Sequence, residues 1–206
     1  MTFPTMRSVW GILVLIGSSS AFSVDLSMVS FGGSGCPQGT VSVITSPDNT
    51  TVSVLFDSYT VSTDSDTLFD RKSCNLALPI KVPNGYSIAL KEIDYRGYAS
   101  IPDRRGSSGR FRAEYFFGGF RGPVRTKRFR RDYDRDFLIS DTLVGSAVVF
   151  SPCGASVNFR INTSLDVRKR LAKHPDPFVV IDTTDIRVKG RNLPFFSYKF
   201  IKRACS

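Results

Sequence analysis

The chain has 206 residues, 41% of them hydrophobic and 12% aromatic, and 28 Lys and Arg against 18 Asp and Glu give a formal charge of +10. That is one domain's worth of sequence, long enough to bury a core of its own. One histidine and four cysteines without C-x-x-C spacing leave little for histidine-based catalysis or a zinc site.

Residues 1–23 read as a signal peptide. Arg7 supplies the positive start, Val9 to Ile16 the apolar stretch, and Ser18 to Ala21 the small residues before cleavage at Ala21 or Ser23. The apolar run is far short of the roughly 20 residues a membrane span needs. No second run follows, so residues 24–206 read as one exported domain without stable membrane insertion.

Val24 to Ser30 alternates briefly, and Gly32 to Gly35 makes a loop into Cys36-Pro37. Thr40 to Thr45 and Thr51 to Asp57 are β-branched and flank Ser46-Pro47-Asp48-Asn49, the composition of a hairpin. Tyr59 to Ser62 continues as a strand, and the acidic stretch from Thr63 to Lys72 reads as a loop.

Residues 75–101 are the strongest β signal. Leu76, Leu78, Ile80 and Val82 alternate with polar or small residues, Pro83-Asn84-Gly85 predicts a hairpin turn, and Tyr86, Ile88 and Leu90 alternate again. The phase then moves to Ile93 and Tyr95, which predicts a bulge near Glu92.

Ile101 to Gly109 reads as an exposed loop, Ala113 to Phe117 as a strand, and Gly118 to Arg131 as a second mobile, Gly- and Arg-rich loop. Phe137 to Leu143, Ala147 to Phe150, Val157 to Ile161, Phe178 to Val188 and Phe196 to Phe200 are strand-like, and Leu165 to Lys173 could form one or two helical turns.

Cys36, Cys74, Cys153 and Cys205 read as two disulfides in an exported chain. Three connectivities are possible. Pairing neighbours in order, Cys36–Cys74 and Cys153–Cys205, is favoured because the second bridge would tie down the C-terminus. Asn49-Thr50-Thr51 and Asn162-Thr163-Ser164 are glycosylation acceptors, the first in a turn and the second at a predicted strand end.

The charge is concentrated. Eleven basic residues lie between Arg104 and Arg135, against Glu114, Asp132 and Asp134, so this segment carries +8 of the formal +10. Arg110, Arg112, Arg121, Arg125, Lys127, Arg128, Arg130 and Arg131 form the candidate polyanion-binding set, with Phe111, Tyr115, Phe116, Phe117, Phe120 and Phe129 interleaved. Arginine's planar fork pairs with sulfate, carboxylate and phosphate. The bland reading is a solvated loop whose charge aids solubility. Arg125-Thr126-Lys127-Arg128 also fits an Arg-x-Lys-Arg processing site.

Several runs, in order along the chain, resemble an uncharacterised secreted family, the domain of unknown function 4360. They are Gly33 to Thr40 (GSGCPQGT), Ser46-Pro47-Asp48, Leu55 to Tyr59 (LFDSY), Arg71 to Leu76 (RKSCNL), Val82 to Tyr86 (VPNGY), Asp94 to Ala99 (DYRGYA), Ser151 to Gly154 (SPCG) and the terminal Cys205. The resemblance implies secretion, paired cysteines and a compact β-rich domain, and no activity. The chain departs from it in its arginine-rich segment, where such proteins favour Ser, Thr and Gly, and in lacking a tryptophan shortly before the last cysteine.

Other chemistry has less to stand on. His174 lies between Lys173 and Pro175-Asp176-Pro177, a loop context in which a solvated histidine is the ordinary reading. Glu92 and Asp94, two apart on a strand, could serve as paired carboxylates for glycan hydrolysis unless a bulge separates them. Asp64-Ser65-Asp66 and Asp132 to Asp136 alternate acids without completing a calcium loop.

Together these readings predict an all-β, antiparallel, disulfide-stapled β-sandwich of about ten short strands, with a long basic loop region at about 102–136. The predicted function is that of a secreted, non-enzymatic interaction module whose basic loop binds an anionic glycan or a wall or matrix polymer. The alternatives are a structural cell-surface protein or secreted effector that holds a protein partner on its β faces, and an extracellular glycan hydrolase. No cofactor is expected, and the exported compartment argues against nucleic acid.

Overall fold

The computed structural model describes residues 23–24, 28–45, 51–117, 120–142, 149–181 and 196–205. The stretch read as a signal peptide, up to residue 22, and the asparagine read as a glycosylation acceptor, Asn49, lie outside the described residues, as do 143–148, 182–195 and the Gly118-Gly119 pair. The described residues form thirteen strands and no α-helix.

The first sheet is built from β1 (Ser23–Val24), β2 (Ser30–Gly32), β6 (Phe69–Lys81), β8 (Ser108–Phe117), β9 (Phe120–Phe129) and β11 (Val157–Arg168). Its order is β1–β6–β11–β8–β9, with β2 also on β6. The second contains β3 (Val41–Thr45), β4 (Thr51–Phe56), β5 (Thr60–Ser62), β7 (Tyr86–Ile101), β10 (Tyr133–Thr142), β12 (Phe178–Val180) and β13 (Phe196–Ala204). Its order is β3–β4–β13–β7–β12–β5, and β10 takes the opposite edge of β7. Every pairing is antiparallel. This is the predicted two-sheet, all-β architecture, with strands more numerous and longer than expected; β7 alone runs 16 residues.

The period-two pattern explains both layers. Leu76, Leu78 and Ile80 of β6, Phe159, Ile161 and Leu165 of β11, and Phe111 and Tyr115 of β8 are buried on one side of the first sheet. They meet Val52, Val54, Ile88, Leu90 and Tyr95 of the second sheet. Aromatic contacts bridge the layers: Phe159 meets Phe200 edge-on at 5.2 Å, Tyr95 meets Phe111 at 4.7 Å, and the Tyr95 and Tyr115 hydroxyls hydrogen-bond to each other. Such contacts add about 0.5–1.5 kcal/mol beyond their area.

Three sequence readings are corrected. Residues 75–101 contain two strands, but they do not form a hairpin: β6 belongs to the first sheet and β7 to the second. Both edges of β6 are occupied, by β11 and by β1 and β2, and both edges of β7, by β10 and by β12 and β13. The Pro83-Asn84-Gly85 turn therefore carries the chain across the core, closed by the Tyr86 amide donating to the Pro83 carbonyl at 3.1 Å, with Gly85 at φ 77°. The helical turns proposed for Leu165 to Lys173 are replaced by the end of β11, where Leu165 and Val167 keep the alternation begun at Val157. The segment read as a basic loop region at 102–136 is mostly strand, β8, β9 and the start of β10. Gly122 sits at a bulge, where Gly122 and Pro123 of β9 together oppose Tyr115 of β8.

Other readings hold. β3 and β4 pair from Val41–Phe56 to Thr45–Val52. The phase change in β7 is a bulge at Lys91, since β13 pairs Lys199 with Glu92 and Phe200 with Leu90. The disulfides are Cys36–Cys74 and Cys153–Cys205. The second ties Cys205 to Cys153, and the Cys205 amide donates to the Gly85 carbonyl of the crossing turn at 2.8 Å.

Two buried polar clusters fix the ends of the core. The Tyr59 ring is fully buried and its hydroxyl hydrogen-bonds Thr163 Oγ1 at 3.1 Å. After β11, the Lys169 side chain is 1% exposed. Its ammonium donates to the Ala172 and His174 carbonyls at 2.9 and 3.2 Å and to Asp176 Oδ1, which also accepts from the Thr63 hydroxyl at 3.0 Å. A buried ammonium is tolerated only when partnered in this way.

Burial pushes the Tyr59 phenol well above its ordinary value of 10.0. The folded state therefore holds this proton where the unfolded chain has lost it, so the stability it represents is complete below about pH 10 and declines above it. The expected outcome in urea titrations at pH 9 to 11 is a steeper loss of stability for the native protein than for Tyr59→Phe, which costs about 1 kcal/mol at neutral pH. The Lys169 hydrogen bond holds the Asp176 carboxyl below its ordinary 3.8. Its contribution is present above that value and is lost as pH falls through the folded pKa. Asp176→Asn should lower the thermal midpoint at pH 7 and flatten its dependence on acid, measured by circular dichroism.

Candidate functional site

One face of the first sheet is the core, and the other carries arginines. Directly paired residues on neighbouring strands share a face, so the register lays out the outer surface in rows. Arg71 of β6, Asp166 of β11, Arg110 of β8 and Arg128 of β9 stand side by side. The next row is Ser73, Ser164, Arg112 and Thr126, followed by Asn75, Asn162, Glu114 and Val124. Beyond the bulge lie Ala77, Arg160, Phe116 and Arg121, and Arg168 stands between Phe69 and Ser108 at the other end.

Seven arginines thus converge on this surface with two acids among them. Arg71, Arg121, Arg128, Arg160 and Arg168 are exposed; Arg110 and Arg112 are half-buried. Arg110 Nε donates to Asp166 Oδ2 at 2.9 Å, and Arg112 Nη2 pairs with Glu114. Asp166 lies on the outer face yet is 2% exposed. Around these charges the surface is small and polar, with Ser73, Asn75, Asn162 and Thr126, and has an aromatic element in Phe116.

The register divides the candidate set read from the sequence. Arg110, Arg112, Arg121 and Arg128 belong to the outer face. Arg125 and Lys127 oppose Ala113 and Phe111, so they follow the core-side phase of β9 at its edge and are half-buried. Arg130 and Arg131 fall in the turn to β10, where Asp132 has φ 64° and Arg131 lies 3.7 Å from Asp103. Arg71, Arg160 and Arg168 were missed because the sequence places them far from the basic segment. The signal was the period of two: Arg160 and Arg168 alternate with buried residues on β11, and Arg71 keeps the phase of Asn75 and Ala77 on β6.

The remaining candidates are placed as follows. Arg125 to Arg128, the processing motif, is in β9, paired to β8 along its length. Asn162 is inside β11, flanked by Asn75 and Glu114, and does not end a strand. Glu92 and Asp94 both follow the bulge and point to the outer face of the second sheet, opposite Thr142 and Ser140. Asp94 accepts from the Ser140 hydroxyl on an open sheet face. Asp64 caps the amides of Asp66 and Thr67 at 2.9 and 2.7 Å, which holds its carboxyl below the ordinary range. The Tyr98 hydroxyl donates to Asp134 and likewise lowers its carboxyl. His174 lies in the loop organised by Lys169 and is half-buried rather than solvated. Among the described residues no group of three or more His, Cys, Asp or Glu is arranged to hold a metal ion.

Residues 23–197 match the family described as Domain of unknown function (DUF4360). An "Uncharacterized secreted protein" of Arthroderma benhamiae (strain ATCC MYA-4681 / CBS 112371) is 33% identical over 140 residues, 66% of this chain and 56% of that protein. The chain therefore spans a little over half the length of this relative. A solved structure, TmCBM61 in complex with beta-1,4-galactotriose, covers 87% of this chain and 90% of its own at 11% identity, with a TM-score of 0.30. A likeness of that size carries no argument about binding. No helix among the described residues is long and apolar enough to cross a membrane. The two disulfides fit an oxidising compartment. The chain is a secreted protein and belongs to the DUF4360 family.

Proposed function

We propose that the protein is a non-enzymatic binding module whose arginine-lined sheet face takes an extracellular anionic polymer, an acidic or sulfated glycan. The observation that carries this reading is the convergence of Arg71, Arg110, Arg112, Arg121, Arg128, Arg160 and Arg168 on one surface. A solubility role for the charge would not require strands from three distant parts of the chain to present it together. The face is a sheet, so its donors are held by a rigid backbone rather than ordered on binding. Guanidinium groups form paired hydrogen bonds to sulfate and carboxylate, and a linear polyanion releases counterions when it is neutralised.

The test compares equal charge losses at two places. Arg71→Gln, Arg128→Gln and Arg168→Gln together remove three charges from the face. Arg130→Gln, Arg131→Gln and Arg135→Gln together remove three exposed charges elsewhere. On a heparin column the native protein should elute late and the face variant distinctly earlier than the off-face variant. The log–log salt dependence should fall by roughly one unit for each contact removed. Equal shifts for the two variants would show attraction by net charge alone. Early, salt-insensitive elution of the native protein would point instead to a protein partner.

A further inference from the structure

The outer face contains two charges of the wrong sign for an anion site, Glu114 and Asp166, and Asp166 is the buried one. Asp166 lies near the end of β11, two residues before Arg168, with Arg71 paired to it on β6 and Arg110 on β8. Its carboxylate is 3% exposed, while the Arg110 side chain above the face is 37% exposed. The contact is made by Arg110 Nε at 2.9 Å. It engages one side of the guanidinium and leaves the two Nη nitrogens as donors. A buried carboxylate that fixes an arginine by its Nε sets the plane in which that arginine meets a ligand.

The row has a defined reach. Neighbouring strands are about 4.8 Å apart, so Arg71 and Arg128 are separated by three spacings, about 14 Å, with Arg110 one spacing from Arg128. A single small anion can use one of these groups. A chain bearing oxyanions along its length can use all three, provided it lies across the strands.

Building on the binding face described above, we propose that Arg71, Arg110 and Arg128 form a row that reads a sulfated or carboxylated sugar chain laid across β6, β11, β8 and β9, and that Asp166 is the positioning residue that presents Arg110 to it.

The positioning role makes a prediction opposite in sign to simple charge attraction. Asp166→Asn removes a negative charge from a basic face, so attraction by charge alone predicts tighter binding to heparin and later elution. Positioning predicts earlier elution and binding about fivefold or more weaker, because Arg110 loses its preset orientation. Arg110→Lys keeps the charge and loses the fork, and Arg110 is at the surface, so this variant tests the same point with little effect on the core. Asp166→Asn placed on Arg110→Lys should then add little further loss, since the two act through one group. Heparin oligosaccharides of increasing length complete the experiment, with inorganic sulfate as the single-anion control. Affinity should rise with length up to a chain that spans about 14 Å and then level. Later elution of Asp166→Asn, or full additivity of the two substitutions, would overturn the positioning role while leaving the binding face standing. Sulfate competing as well as the oligosaccharides would overturn the row. Loss of heparin binding by the native protein would remove the binding face itself.

Discussion

β11 is the constraint on which the rest depends. It is paired with β6 along all twelve of its residues and with β8 along ten. A strand held on both edges has no freedom of register, because a slip by one residue would turn Phe159, Ile161 and Leu165 outward and Arg160, Asp166 and Arg168 into the core. The same alternation therefore specifies two things at once. One phase is the floor of the hydrophobic core, and the other is the charged surface. Its neighbours obey the same parity, so the arginines of β6 and β8 fall on the outer side with those of β11.

Much of the fold was legible wherever the information is local. The β3–β4 pair, the bulge in β7 and the alternation of β6, β11 and β13 follow from residue type and spacing. The favoured disulfide order followed from chain logic. What was not legible is non-local. Pro83-Asn84-Gly85 has the composition of a hairpin turn, but composition does not say whether the following strand joins its predecessor's sheet or the opposite one. That depended on β6 and β7 each having partners from elsewhere in the chain. In the same way, arginines and glycines between residues 109 and 131 look like loop when read alone. Phe111, Ala113, Tyr115 and Phe129 supply the buried positions that make strands of them.

The candidate site divides along the same line. Four of its arginines lie in the basic segment and were visible as a cluster; the other three come from β6 and β11, Arg160 between Phe159 and Ile161, Arg168 after Val167, and Arg71 between Asp70 and Lys72. Asp166 is the most easily overlooked member. In sequence it is one acid between Leu165 and Val167, and only the pairing with Arg71 and Arg110 gives it a meaning.

β9 has a consequence of its own. Among the described residues it is the last strand of the first sheet, the position from which a sheet can recruit strands of other molecules. Its run holds Gly122 and Pro123 at a bulge and Arg125, Lys127 and Arg128 beyond it. Proline offers no amide to an incoming strand, the bulge spoils a flat edge, and copies of this strand brought side by side would oppose like charges. The bulge, the proline and the like charges of β9 therefore disfavour strand-to-strand pairing at this edge, and replacing its arginines by apolar residues would remove part of that barrier.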